Sequence, residues 1–142
     1  MASTTLQAHP NRSEIKSRLR ASDITPTHQR VLIAEALFVK PQHVSAEQLL
    51  TMVNKEHEEV SKATIYNTLG LFAQKGLINE VIIEPSKVFY DTNLEKHYHL
   101  YHTETGELED ISSSQIKIEK LPDPPTGTVL EDVDIIIRLR KS

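Results

Sequence analysis

"VSKATIYNTLGLFAQKGLINEVIIEPSKVFYDTN" (Val60–Asn93) contains the change of texture that decides the fold. In its first half Ile65, Leu69 and Phe72 recur at helical spacing, Ser61 opens the run, and Gly76 suits its C-terminal end. In its second half two β-prone runs flank Pro85-Ser86, the pattern of a hairpin. Three earlier helical stretches lead into this one. Ile15 and Leu19 lie four apart between Ser13 and Arg20, and Thr27 can cap a helix whose buried side is Val31–Phe38. Ser45 and Gln48 fit a capping box ahead of Leu49, Met52 and Val53. "KPQHV" reads as a loop, "NKEHEE" as a solvated stretch, and residues 1–11 as a loose polar tail. Helices followed by a hairpin suit a winged helix-turn-helix, whose later helix enters the major groove.

Downstream the pattern is shorter and mixed. "HYHLYH" and "ELEDI" flank "TETG" as a second hairpin, and "SSSQIKIEKL" (112–121) suits a helix. A proline-rich link follows. In "VLEDVDIIIRLR" the residues Val129, Val133, Ile135, Ile137 and Leu139 alternate onto one face, as in a half-buried strand. The expected fold class is therefore α+β, a winged helix-turn-helix domain over residues 1–91 and a small α/β domain over 92–142. The second has too little core to stand alone, so its apolar strand face calls for a homodimer.

Composition narrows the function. Residues 1–80 carry nine Lys/Arg against eight Asp/Glu, whereas residues 81–142 carry seven against twelve. A partner bearing phosphates meets the first half. There is no cysteine, so disulfides, Cys-type structural zinc and thiol catalysis are excluded. No apolar run is long enough to cross a bilayer and the N-terminus lacks a signal core, so a cytoplasmic protein with no membrane partner is expected. With Ile65, Leu69 and Phe72 turned inward, Lys62, Tyr66 and Asn67 project outward near the helix start, where recognition helices touch bases. Tyr66 can pack on a thymine methyl or reach a phosphate, Asn67 can pair with adenine, and Lys62 can contact phosphate or guanine.

"HVSAEQL" (His43–Leu49), "SKATIYNTL" (Ser61–Leu69), "KGLI" (Lys75–Ile78), "FYDTN" (Phe89–Asn93) and "HYH" (His97–His99) occur in this order. Together they resemble the ferric uptake regulator family of metal-dependent transcriptional regulators. "KVFYDTNLEKHYH", "LEDI" and "DIIIRLRKS" look like its iron response regulator branch. The resemblance implies a hinge near Thr92, a C-terminal dimerisation domain, and homodimers on A/T-rich inverted repeats of double-stranded DNA, with no enzymatic activity. It adds Arg30 and Thr64 to the DNA-contacting set of Lys62, Tyr66 and Asn67. Where relatives carry a basic residue ahead of the Thr27–Arg30 turn, this chain has Ile24-Thr25-Pro26, so that minor-groove contact is not carried over.

The resemblance also implies a regulatory metal site of His43, Asp91, His97, His99 and Asp110. Three imidazoles and two carboxylates suit one divalent ion per chain, Fe²⁺, Mn²⁺, Zn²⁺ or Co²⁺, and disfavour Cu(I). An ion held between the two domains fixes the spacing of paired recognition helices. The alternative is heme, with His97 or His99 as an axial ligand. Strand alternation puts His97 and His99 on one face and His102 on the other, so His102 is left out of the shell. A metalloenzyme reading finds no Glu base beside a His-x-x-x-His pair and no nucleophile motif.

Overall fold

A computed structural model describes residues 10–55 and 60–142. The tail expected for residues 1–11 lies, up to residue 9, outside the described residues, as does most of the polar stretch 54–59. The chain divides into two compact units, the first ending at Leu94 and the second spanning Glu95–Ser142.

The first unit is built from capped helices. Helix α1 (Arg12–Ala21) starts in a capping box, in which Asn11 and Glu14 each accept the other's backbone N–H at 2.9 Å. Its end closes with Ile24 N–H on the Leu19 carbonyl at 2.8 Å and Asp23 N–H on that of Arg20 at 3.0 Å. Asp23 has a left-handed φ of 61°, a place usually taken by glycine. Thr27 caps α2 (His28–Phe38), and Ser45 with Gln48 forms the expected box at the head of α3 (Ala46–Val53). Ser61 caps α4 (Lys62–Gln74). That helix stops where Gly76, at φ 78°, lets Leu77 N–H reach back to the Phe72 carbonyl at 2.9 Å. Between α3 and α4, the Asn54 amide donates to the Val60 carbonyl at 2.6 Å and accepts from its N–H at 3.1 Å. This reciprocal pair pins the turn of the helix-turn-helix.

Leu19, Ile33, Leu37, Leu49, Ile65, Leu69 and Phe72 are wholly buried between these helices. Each contributes about 1.5–3 kcal/mol relative to exposure. Ile65, Leu69 and Phe72 are the three that helical spacing predicts for α4. Strands β1 (His43–Ser45), β2 (Asn79–Glu84) and β3 (Lys87–Asp91) form an antiparallel sheet in the order β1-β3-β2, and Pro85-Ser86 turns the wing hairpin. Residues 43–44 are expected in a loop. They become a strand because Val44 is buried opposite Tyr90, and a three-residue strand is too short to show a period of its own. Gln42 and Thr92 extend the ladder. Their backbones and the Thr92 hydroxyl exchange bonds of 3.1–3.2 Å, while the Gln42 side chain donates to the carbonyls of Ala36 and Leu37 at the end of α2. Thr92, the expected hinge, is thus bonded into the first unit.

The second unit holds strands β4 (His97–His102), β5 (Leu108–Ser112) and β6 (Ile136–Leu139) in the order β5-β4-β6. The β4–β5 pair is antiparallel and β4–β6 is parallel. Its buried apolar residues are Tyr98, Tyr101, Leu108 and Ile111, a thin core for its length. Two local expectations change here. Residues 112–121 form only a 3₁₀ turn over Ser113–Gln115. The Ser112 hydroxyl takes the Ser114 N–H at 3.3 Å, so serine competes with the helical ladder. The C-terminal strand is confined to four residues, and Val129 remains 87% exposed. No helix among the described residues is long and apolar enough to cross a membrane.

Candidate metal centre

In the second unit the strand pairing assembles the site. His99 and Asp110 are directly opposite on β4 and β5, and His97 lies two residues along the same face. His97 Nε2 and His99 Nε2 each approach Asp110 Oδ1 to 3.4 Å. The two rings stand edge to face, 4.6 Å between centroids. His99 is buried and His97 nearly so, while Asp110 is about half exposed.

The tautomer of His97 follows from its other nitrogen. Nδ1 lies 2.6 Å from the Glu95 carbonyl, which can only accept, so Nδ1 carries the hydrogen. Nε2 faces the carboxylate oxygen as a second donor when the ring is protonated and as a lone pair when it is neutral. In the neutral ring a cation between the two acceptors would satisfy both, and a backbone carbonyl behind the ring is the usual support of a metal-bound imidazole. The separations fit as well. Ligand atoms on a shell with bonds of about 2.1 Å stand roughly 3.0–3.4 Å apart. Imidazole nitrogen with carboxylate oxygen suits iron(II), manganese(II), cobalt(II) or zinc(II).

His102 takes the other side of β4, where its Nε2 pairs with Glu109. The face assignment made from alternation is the one observed.

The first unit brings two further expected ligands together. His43 and Asp91 are register partners on β1 and β3. Asp91 is 1% exposed, and its Oδ1 accepts the Asn93 N–H at 2.9 Å. His43 stacks its ring edge on Phe89, 6.3 Å between centroids. Each unit therefore carries a cross-strand His–Asp pair, His43 with Asp91 and His99 with Asp110. Short β-pairings place the two members of each on a common face.

The expected DNA-contacting residues occupy the start of α4 and the first turn of α2. Lys62, Tyr66 and Asn67 are exposed, with Tyr66 at 42%. Thr64 is half-buried, its hydroxyl oxygen accepting from the Ser61 cap at 3.0 Å. The Arg30 guanidinium donates to the Thr25 carbonyl at 2.9 Å. The sequence reading passed over Glu47, which lies inside "HVSAEQL" on α3. Its carboxylate accepts the Tyr66 hydroxyl at 2.5 Å and stands 3.9 Å from the Lys62 ammonium.

Known proteins place these features in context. The family described as the ferric uptake regulator family matches residues 21–137. A peroxide-responsive repressor, PerR, of Staphylococcus aureus (strain Mu50) is 31% identical over 104 residues, 72% of this chain and 70% of that protein. The ferric uptake regulator of Pseudomonas aeruginosa solved with manganese aligns with a TM-score of 0.68 and 25% identity, over 89% of this chain and 96% of that one. The ferric uptake regulator of Francisella tularensis solved with iron has the same fold, with a TM-score of 0.69 at 21% identity over 83% and 92% of the two chains.

Proposed function

Because this chain belongs to the ferric uptake regulator family, whose members are metal-responsive transcriptional regulators and not enzymes, we propose that its DNA affinity is set by one divalent ion per chain. The shell is His97, His99 and Asp110 from the second unit with His43 and Asp91 from the first. The observation that carries this reading is the convergence of both Nε2 atoms on Asp110 Oδ1, each at 3.4 Å. When bound, the ion supplies positive charge that neutralises the carboxylates and ties the two units together. His97 and His99 would present Nε2 to it, and the Glu95 carbonyl holds the His97 ring by Nδ1 in the orientation this needs.

The protein acts as a homodimer on double-stranded, A/T-rich inverted-repeat DNA. Lys62, Tyr66 and Asn67 of α4 meet the bases and nearby phosphates, and Arg30 and Thr64 support them. Dimerisation through the second unit is supported by its thin core and by the exposure of Val129, Leu130 and Ile137. Heme is the second reading, with His97 or His99 as axial ligand. The approach of both imidazoles to the Asp110 carboxylate favours a bare divalent ion, which takes nitrogen and oxygen donors together.

Gel-shift titration on an A/T-rich palindrome, with manganese(II), iron(II), hemin or chelator, tests the reading. A divalent ion should change the affinity at least tenfold. A response to hemin alone, lost in His97→Ala or His99→Ala, would replace the ion by heme.

A further inference from the structure

Glu47, Lys62 and Tyr66 form a small polar group on the outer face of the helix-turn-helix. Lys62 and Tyr66 are four residues apart on α4 and so share a face. The Glu47 carboxylate reaches them from the second residue of α3. The Tyr66 hydroxyl donates to Glu47 Oε2 at 2.5 Å, Lys62 Nζ lies 3.9 Å from the same oxygen, and Lys62 Nζ stands 5.9 Å from the Tyr66 ring centroid. The ammonium and carboxylate side chains are 65% and 61% exposed, so the ion pair adds little to folding. Its organisation needs another reason. An acidic residue is also unwelcome beside DNA unless it does something there.

We propose that Glu47 is a positioning residue for sequence discrimination: it ties down the Tyr66 hydroxyl and draws in Lys62, leaving the Tyr66 ring as the surface offered to bases. The proposal rests on α4 being the reading helix. A tyrosine free to rotate offers its hydroxyl to any phosphate, a contact that carries no sequence information. Held by its tip, the same residue meets DNA through its ring, which packs on a thymine methyl. Glu47 thereby trades phosphate affinity for discrimination. The Tyr66 bond holds the Glu47 carboxyl below the usual carboxylate range and pushes the Tyr66 phenol up, so the acceptor stays ionised and the donor stays protonated.

The test uses the full chain with manganese(II) and, in parallel, with chelator. Its DNA probes are a duplex selected by the parent from a random pool and a scrambled duplex of equal length. Glu47→Ala should bind the scrambled duplex more tightly and lose about tenfold in the selected-to-scrambled ratio. Its log affinity should also fall more steeply with log salt, by about 0.9 for one added phosphate contact. Glu47→Gln keeps an oxygen for the Tyr66 hydroxyl and removes only charge. It should bind both duplexes more tightly and keep the ratio within about threefold, the size of one ordinary charge change on an exposed face. Tyr66→Phe removes the hydroxyl that Glu47→Ala frees, so it should weaken scrambled-duplex binding in the Glu47→Ala background and not in the parent. A parental ratio and salt slope in Glu47→Ala would overturn the proposal, as would a Glu47→Gln ratio as low as that of Glu47→Ala. Asn67→Ala separates the two levels. If it lowers the ratio while Glu47→Ala does not, α4 still reads DNA and only the Glu47 role fails. If the parent selects no sequence, or Asn67→Ala also leaves the ratio unchanged, the reading of α4 falls and takes this role with it.

Discussion

His99 and His102 lie three residues apart on one strand and face different partners. His99 faces Asp110, and His102 faces Glu109. His99→Ala should therefore abolish tight binding of a divalent ion, with a loss beyond the roughly 10–100-fold typical of mutations behind a metal shell. His102→Ala should change the affinity less than about threefold, since it touches nothing in that shell. Calorimetric titration with manganese(II) reads both, and equal losses would refute the assignment of faces. This distinction was legible in the sequence because strand alternation is strict: a spacing of two keeps a face and a spacing of three changes it. The pairing of His43 with Asp91 was not legible from spacing, because 48 positions separate them and β1 has only three residues. His43 and Asp91 entered the proposed shell through family resemblance. Glu47 was missed because its partners lie on another helix, and no local pattern announces a contact between Glu47 and Tyr66.

The helices of the first unit were readable because their ends are local chemistry. Ser45, Ser61 and Thr27 cap where the sequence places them, and Gly76 closes α4. Asp23 breaks the pattern at the end of α1, holding a φ of 61° without being glycine. Its ion pair with Lys75, at 3.3 Å, leaves the Asp23 side chain 95% exposed and offsets little of that cost. Asp23→Gly should stabilise the protein by about 0.5 kcal/mol, the left-handed penalty less the added chain entropy of glycine. A urea melt with an unchanged slope checks it; destabilisation would mean that the Lys75 pair outweighs the left-handed penalty. Asn54→Ala should destabilise by about 1–2 kcal/mol, because it strips both bonds from the Val60 backbone. The unrealised helix at 112–121 failed for the opposite reason: serines and alternating β-branched residues give a helix no reliable start.

At the scale of the molecule, a well-packed first unit is followed by a second with four buried apolar side chains, two of them tyrosines. Amides of β4 and β5 should exchange with deuterium well before those of α2 and α4 when a chelator is present. Manganese(II) at a hundred times its Kd should slow that exchange, adding about 2.7 kcal/mol to the bound state. Equal protection of both units in the presence of chelator would count against a marginal second unit. The dimer belongs to this scale too, and light scattering at micromolar concentration should give twice the 16.1 kDa chain mass. The short strand β1 has a mechanical consequence. It begins at His43, and Ser45, its last residue, is already the cap of α3. Gln42, one residue earlier, is clamped to the end of α2 and to Thr92. Only four positions separate His43 from Glu47, and every one of them lies in a strand or a capped first turn, where the backbone has no slack. Were the proposed ion to pull on the His43 imidazole, the pull would be delivered to the carboxylate that holds Tyr66 as by a short stiff crank, and the input and output of the proposed switch would be neighbours along the chain.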